Sequence, residues 1–241
     1  MSHIPKVLCG LSRLLSYPDE HTVQTAEFLF VILHGEIPEA SRAASDFGAF
    51  AEQHELWEVE EAFTRTFDVN PACALEVGWH LFGEEYARGM FLVRMREELR
   101  KYDLPESAEL PDHISHVLAV AAAMPDVEAA RFVRACVQPA VEKMKQALEG
   151  KDTPYRHVVA CLAAVLAARW GQCEATEQPQ MLQSSTNELD PLRAFPVADV
   201  GCGSGCGSSC DGNVDVVPLE TDLSATGERA SSSVPMEMKK P

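Results

Sequence analysis

The stretch that decides the fold is Ile4–Leu15, which reads IPKVLCGLSRLL. Its apolar residues recur at intervals of three and four: Ile4, Val7, Leu8, Leu11, Leu14 and Leu15. An α-helix turns once every ~3.6 residues, so this spacing places all six along one stripe of the helix surface. The stretch therefore predicts an amphipathic helix that buries one face against other helices.

The same helical spacing continues through most of the chain. It predicts further helices over about 19–33, 39–53, 56–67, 73–82, 84–102, 113–123 and 127–148, and a last one from Pro154. The helix over 127–148 is expected to kink at Pro139, because proline has no amide hydrogen to donate. No run alternates apolar and polar residues between turn signals, so no strand is predicted. The sequence favours an all-α, bundle-like domain of about eight or nine helices in residues 1–173.

Residues 174–241 differ in composition from the part before them. They are rich in Ser, Gly and Thr, and their apolar residues are isolated, which predicts a disordered C-terminal tail. The chain holds 20 Lys and Arg against 37 Asp and Glu, a net charge of −17. Both parts are acidic, so we expect no nucleic-acid partner. An acidic surface does suit a basic partner segment.

The sequence gives no sign of export or membrane insertion. The longest uncharged apolar run, 158–168, is shorter than the ~20 residues that a spanning helix needs. Lys6 and Arg13 interrupt the apolar N-terminus, which does not resemble a signal peptide. Eight cysteines are too few for a disulfide scaffold of this length. We expect a cytoplasmic protein.

Motifs of catalysis are missing from the sequence. It contains no Gly-x-Ser-x-Gly, no phosphate-binding glycine loop ahead of a helix, and no His-Glu-x-x-His. The Glu-x-x-His pairs of a di-iron bundle are missing as well. The protein is therefore predicted not to be an enzyme and to hold no cofactor of its own. A helical enzyme using His80, His113 and His116 stays open as an alternative.

Glu109–His113, which reads ELPDH, is an unusual polar stretch between two apolar helices. Pro111 suits the first position of a helix, and Asp112 would then lie in the first turn, where the helix dipole favours a carboxylate. The stretch either caps a helix or contacts a ligand or peptide at the helix terminus. With an ordinary pKa of about 6.5, His113 would change its charge between about pH 6 and 8.

A second unusual stretch is Gly83–Met90, which reads GEEYARGM. Glu84 and Arg88 are four residues apart, in the order that favours an ion pair on a helix. Gly89 inside a helix costs about 1 kcal/mol relative to alanine. A glycine kept at that cost predicts a close approach of another backbone.

Three cysteines, Cys202, Cys206 and Cys210, lie in a Gly/Ser-rich part of the tail. Thiolates on a pliable segment suit a soft metal. However, three thiolates leave one tetrahedral position open, and the spacing matches neither the usual zinc nor the ferredoxin pattern. The alternatives are a metal site, as in a metallochaperone that acts through the tail, and an incidental or redox-sensitive tail.

Four segments together resemble a known family. They are LLSYPDE at 14–20, FTRTFD at 63–68, HLFGEEYARGM at 80–90 and ELPDH at 109–113. Their order and spacing are similar to those of NarJ-type chaperones of respiratory nitrate reductase, within the TorD/DmsD/NarJ family. The resemblance implies a cytoplasmic, non-enzymatic assembly factor that binds the apo catalytic α subunit of a molybdoenzyme.

The resemblance also implies how such a factor works. It would bind the N-terminal segment of the α subunit and hold the subunit while molybdenum cofactor and iron–sulfur clusters are inserted. Such a factor would contact molybdenum cofactor, and the proteins that synthesise the cofactor, only during delivery. Which molybdoenzyme is the client stays open between nitrate reductase, nitrite oxidoreductase and a relative.

An apolar groove with acidic rims would accept a basic amphipathic helix of the client. We expect the partner-binding residues to be Glu84, Arg88, Glu109, Pro111, Asp112 and His113.

Overall fold

The computed structural model describes residues 3–172 and 190–195. Those residues contain ten α-helices, a 3-10 turn at Pro71–Cys73 and a π-helical segment at Val133–Val137. The α-helices are α1 (Ile4–Leu14), α2 (Thr22–Leu33), α3 (Pro38–Gln53), α4 (Leu56–Thr66), α5 (Val77–Phe82), α6 (Tyr86–Lys101), α7 (Ile114–Ala123), α8 (Asp126–Phe132), α9 (Gln138–Leu148) and α10 (Tyr155–Trp170). No strand occurs in this part of the chain, and the all-α prediction is confirmed.

The helix predicted over 127–148 is continuous but not uniform. α8, the π segment and α9 follow one another without a break, and counting them once gives nine helices in the described residues. Pro139 lies at the start of α9, and its ring would clash with the carbonyl of Ala135 in a regular helix. The wider π turn, which contains Ala135, relieves that clash. A π segment therefore immediately precedes the position of the predicted kink, and the kink itself stays a prediction.

The core follows the stripe that the sequence shows in α1. Leu8, Leu11 and Leu15 are fully buried, and α1 packs against α2 and α7. On the other side of the bundle, α3 packs against α2 and α10, and α9 packs against α10 and α5. Burying each large aliphatic side chain contributes up to about 1.5–3 kcal/mol, so this stripe is a main source of stability.

Of the helix predicted over 73–82, the part Val77–Phe82 is confirmed as α5, and the part before Val77 is wrong. The chain instead makes the 3-10 turn and then an extended stretch before α5. In that stretch Glu76 forms an isolated β-bridge with His113. The amide of Val77 donates to the Asp112 carbonyl (2.8 Å), and the amide of Ile114 donates to the Leu75 carbonyl (2.8 Å). The starts of α5 and α7 are therefore tied together.

Six residues of the predicted disordered tail, Asp190–Phe195, pack against the helices. Ala194 is fully buried, and Phe195 is 4% exposed. We call these six residues the strap. The strap belongs to the same compact unit as the helices. Tail disorder is therefore the wrong prediction for the strap, because its apolar residues find a place in the helical core.

The boundary predicted at residues 173 and 174 stays a prediction, because the rest of the tail lies outside the described residues. Within the described part, no helix is long and apolar enough to cross a membrane.

Candidate functional site

The four segments that define the family resemblance meet at one cavity of about 520 Å³. We call this cavity the groove. It lies between the end of α1, α4, the stretch that leads into α5, the first turns of α5 and α6, and the loop before α7. The segments contribute these residues to its lining: Ser16, Tyr17, Phe63, Phe67, Asp68, Arg88, Glu109, Leu110 and His113. Residues up to about a hundred positions apart thus share one surface.

The floor of the groove is aromatic. The ring of Tyr17, which is 58% exposed, meets Phe63 edge-on at 5.7 Å between centroids. Phe63 and Phe67 are 5.1 Å apart, and both contact the buried ring of Tyr155. Trp79 from α5 lines another wall, where its indole nitrogen donates to the Pro71 carbonyl (3.0 Å). This arrangement presents a rigid apolar surface to a ligand.

The rim of the groove is mostly acidic. Asp68, Glu76 and Glu109 line it, together with the guanidinium of Arg88. Glu84, which we expected among the partner-binding residues, is exposed and does not line the cavity. Carboxylates around an apolar floor favour a basic and apolar ligand.

Arg88 is held by Asp112. Its Nε atom lies 3.2 Å from Asp112 Oδ2, and its guanidinium lies 5.7 Å from the centre of the Trp79 ring. The ion pair predicted between Glu84 and Arg88 is wrong. α6 begins only at Tyr86, so Glu84 precedes the helix, and Arg88 turns inward to the carboxylate of a distant loop.

Asp112 is a buried structural partner and not a rim residue. Its side chain is fully buried, and its Oδ1 atom has no hydrogen-bond partner in the described structure. Burial raises the pKa of this carboxyl, although the neighbouring Arg88 opposes that shift. Its predicted place in the first turn of a helix is also wrong, because α7 begins two residues later, at Ile114.

His113 is the N-cap of α7. Its Nδ1 atom accepts a hydrogen bond from the amide of Ser115 (3.2 Å), and the Ser115 hydroxyl lies 2.7 Å from the same nitrogen. An accepting Nδ1 requires a neutral ring. Burial lowers the pKa of His113 from 6.5 to about 4. The expected change of charge between about pH 6 and 8 is therefore wrong.

Pro111 is buried beside Asp112, and it leads directly into this cap.

Sequence reasoning missed Gly78, in the first turn of α5. A Cβ atom there would lie 2.6 Å from Asp112 Oδ2 and 3.1 Å from Phe91 Cδ1. Only glycine leaves room for the carboxylate at this distance. Gly89 has nothing within 4 Å of the equivalent position, so the close approach predicted there is wrong. A glycine inside the apolar run VGWHLF was the available signal for Gly78.

The histidines proposed for an enzyme have structural hydrogen bonds. His80 Nε2 lies 2.7 Å from the Ala74 carbonyl. His116 Nδ1 donates to the Leu110 carbonyl (2.9 Å), and its Nε2 accepts from the amide of Ser107 (3.2 Å). Among residues 3–172 and 190–195, no group of three or more His, Cys, Asp or Glu could hold a metal ion.

The predicted metal ligands Cys202, Cys206 and Cys210 lie outside the described residues. A smaller cavity of about 370 Å³ lies between α3, α4 and the start of α10. Of the residues in the four family segments, only Arg65 lines this cavity. The groove is therefore the better candidate site.

Comparison with known proteins shows the family of the chain. The family model described as "Nitrate reductase delta subunit" matches residues 35–160, more than half of the chain. The chain belongs to this family. It is 28% identical over 170 residues to the "Probable nitrate reductase molybdenum cofactor assembly chaperone NarJ" of Bacillus subtilis (strain 168), covering 65% of this chain and 86% of that protein.

A second relative is the "Nitrate reductase molybdenum cofactor assembly chaperone NarJ" of Escherichia coli (strain K12). It is 24% identical over 206 residues, with 80% of this chain and 86% of that protein covered. The resemblance to NarJ-type proteins is thereby confirmed. Both relatives are named as assembly chaperones and not as enzymes, in agreement with the prediction for this chain.

Proposed function

We propose that this protein is a chaperone that binds the apo catalytic subunit of a nitrate reductase-type molybdoenzyme. It holds the subunit while molybdenum cofactor and iron–sulfur clusters are inserted. The observation that carries the proposal is the convergence of four family segments on one groove with an aromatic floor and an acidic rim. The proposal gives the chain no catalytic residue and no resident cofactor.

The groove suits an amphipathic helix at the N-terminus of the client. The apolar face of that helix would lie on Tyr17 and Trp79, over the buried rings of Phe63 and Phe67, as in other helix-in-groove complexes. Basic residues of the client would lie near Glu76 and Glu109. A cavity of about 520 Å³ has room for a few anchoring side chains and not for a folded domain.

The predicted partner-binding residues then divide into two groups. Glu109 is exposed on the rim and would contact the client directly. Arg88, Pro111, Asp112 and His113 would act mainly by building the wall that carries the rim. Glu84 lies outside the groove and would meet only parts of the client that extend beyond it.

The proposal also implies the compartment in which the chaperone acts. The client receives its cofactor before export or membrane attachment, so the chaperone would act in the cytoplasm. It would contact molybdenum cofactor, and the proteins that make it, only during delivery.

Calorimetric titration with a synthetic peptide tests the proposal. The peptide copies the N-terminal segment of the molybdoenzyme catalytic subunit encoded beside this chain. We expect Tyr17→Ala and the rim variant Glu109→Gln each to weaken binding, Tyr17→Ala by about tenfold, because aromatic anchors dominate such interfaces. Glu52→Gln is the matched control, since Glu52 is an exposed acid of α3 outside the groove.

Raised salt should weaken binding to the wild type more than binding to Glu109→Gln, because exposed charge pairs are screened. Equal affinity for a scrambled peptide of the same composition would contradict the proposal. So would a Tyr17→Ala variant that binds as well as Glu52→Gln.

A further inference from the structure

The strap, Asp190–Phe195, occupies a site of its own on the helical domain. The Phe195 ring lies between Phe91 of α6 and Phe132 of α8, with centroid distances of 5.5 Å and 5.4 Å. Arg131 Nε donates to the Ala194 carbonyl (3.1 Å), and the Cys136 thiol donates to the Pro191 carbonyl (3.6 Å). We call the surface formed by Phe91, Arg131, Phe132 and Cys136 the strap site.

The chemistry of the strap site is that of a peptide-binding site. Its polar contacts go to backbone carbonyls, which every polypeptide has, and its apolar contacts select one aromatic ring. The strap holds its own bend without help from the helices. The Leu192 amide donates to Asp190 Oδ1 (3.0 Å), and Arg193 forms an exposed ion pair with Asp190 (3.5 Å). The strap site therefore demands little of its occupant beyond a bent segment with an aromatic anchor.

The docked strap balances the cost of ordering against the gain from burial. Docking orders six residues, and ordering each residue costs backbone entropy. The opposing gain comes from burial of Pro191, Ala194 and Phe195, with a smaller part from the half-buried Leu192. A segment of six residues that no helix or sheet contains opens more readily than the core of a domain. Opening would uncover the rings of Phe91 and Phe132, an apolar surface that favours another cover.

The strap site is also close to the groove without being part of it. One side of Phe91 meets Phe195, and Phe91 Cδ1 lies next to Gly78 of α5, the helix that carries Trp79. A chain bound in the groove therefore has the strap site within a short distance. The π segment beside the site fits this interpretation, since such segments are frequent at functional sites.

We propose that the strap is an exchangeable internal ligand, and that the strap site binds an aromatic-anchored segment of another polypeptide when the strap leaves. The partner segment places a Phe between Phe91 and Phe132 and offers its backbone carbonyls to Arg131 and the Cys136 thiol. This is a second peptide site beside the groove, and it does not depend on which client the groove takes.

Site-resolved alkylation with iodoacetamide tests the exchange in the full chain. Cys136 is fully buried beneath the strap, and burial raises its pKa well above the ordinary thiol value, so a docked strap keeps it unreactive. Cys161 of α10 is also fully buried, but it forms no hydrogen bond with the strap in the described structure, which makes it the control. Phe195→Ala should speed alkylation of Cys136 by about tenfold and leave that of Cys161 nearly unchanged.

A peptide that copies residues 188–197, added to the Phe195→Ala chain, should slow alkylation of Cys136 again. The same peptide with alanine in place of its phenylalanine should have no effect. The proposal is overturned if Cys136 reacts equally slowly in wild type and Phe195→Ala. It is also overturned if both peptides protect equally, or if neither protects.

Two arginine variants keep the test independent of any folding defect in Phe195→Ala. Arg131 and Arg134 are both exposed on the same continuous helix, and each donates from Nε to a backbone carbonyl. The acceptor is Ala194 of the strap for Arg131 and Trp170 of α10 for Arg134. Arg131→Gln should speed alkylation of Cys136, and Arg134→Gln should not. Equal effects of the two variants would overturn the proposal.

Discussion

Substituting two helical glycines by alanine should change stability in opposite directions. At Gly78 the new methyl group would lie 2.6 Å from Asp112 Oδ2, where ordinary contacts between heavy atoms are about 3.5 Å. The carboxylate would have to move by almost 1 Å, and its 3.2 Å contact with Arg88 Nε would lengthen. At Gly89 nothing lies within 4 Å of the new methyl group.

The magnitudes follow from these distances. Overpacking a buried site costs about 1–3 kcal/mol, and weakening a buried ion pair adds to that cost. The better helix propensity of alanine returns up to about 1 kcal/mol. We therefore expect Gly78→Ala to lower the free energy of unfolding by about 2–3 kcal/mol, and Gly89→Ala to raise it by about 0.5–1 kcal/mol.

Thermal unfolding followed by circular dichroism measures both changes. For a domain of this size, 1 kcal/mol corresponds to about 2–4 °C in Tm, so the two variants should differ by about 5–16 °C. A double-mutant cycle identifies the cause. In an Asp112→Ala background the oxygen that clashes most is gone, so Gly78→Ala should cost clearly less, and the cost that remains comes from Phe91 Cδ1 at 3.1 Å. A Gly78→Ala variant as stable as wild type, or one equally destabilising in both backgrounds, would refute the reasoning.

Three further predictions concern single side chains. Arg88→Met should lower the free energy of unfolding by about 3–5 kcal/mol, because it leaves the buried Asp112 carboxylate unpaired. Asp112→Asn removes that charge and should cost less. Urea unfolding measures both changes, and equal costs would argue against the buried pair. His113 has a folded pKa of about 4, below its unfolded value of about 6.5, so its contribution to stability is present above about pH 6.5 and is lost as pH falls towards 4. That contribution to the free energy of unfolding amounts to about 3 kcal/mol and should be missing in His113→Asn. Parallel plots of stability against pH for the wild type and His113→Asn would exclude the contribution. Phe195→Ala should lower the free energy of unfolding by about 1–2 kcal/mol and Tm by a few degrees. The strap can detach when Phe195 is truncated, so the cost cannot exceed the free energy of docking. An unchanged Tm would mean that the strap does not dock.

The helices could be predicted because each amphipathic stripe is a local property of the chain. Ile4–Leu15 shows its buried face directly, and α1 ends within one residue of the predicted stretch. The start of the helix predicted over 73–82 was misplaced for the opposite reason, since α5 begins only at Val77. The extended stretch before α5 exists because Glu76 pairs with His113, and no pattern within the segment itself indicates a partner so far along the chain.

The candidate site could be located from the sequence, but its contacts could not. Spacing on a helix suggested Glu84 as the partner of Arg88, whereas the actual partner, Asp112, lies 24 positions away. Propensity alone cannot tell whether a helical glycine makes room for a neighbour, as Gly78 does, or faces open space, as Gly89 does. The strap was not predicted because its apolar residues, Pro191, Leu192, Ala194 and Phe195, form too short a run to show a helical or strand period.

The residues of the Glu109–His113 segment have different roles, because some are buried and one is exposed on the rim. Asp112 and His113 are buried and fix the starts of α5 and α7, so they determine where the wall of the groove stands. Glu109 is exposed and faces the rim. Loss of client binding in an Asp112 variant would therefore report a displaced wall, and it should come with a loss of stability. Loss of binding without loss of stability is the sign of direct contact, and Tyr17 and Glu109 are the residues placed to show it.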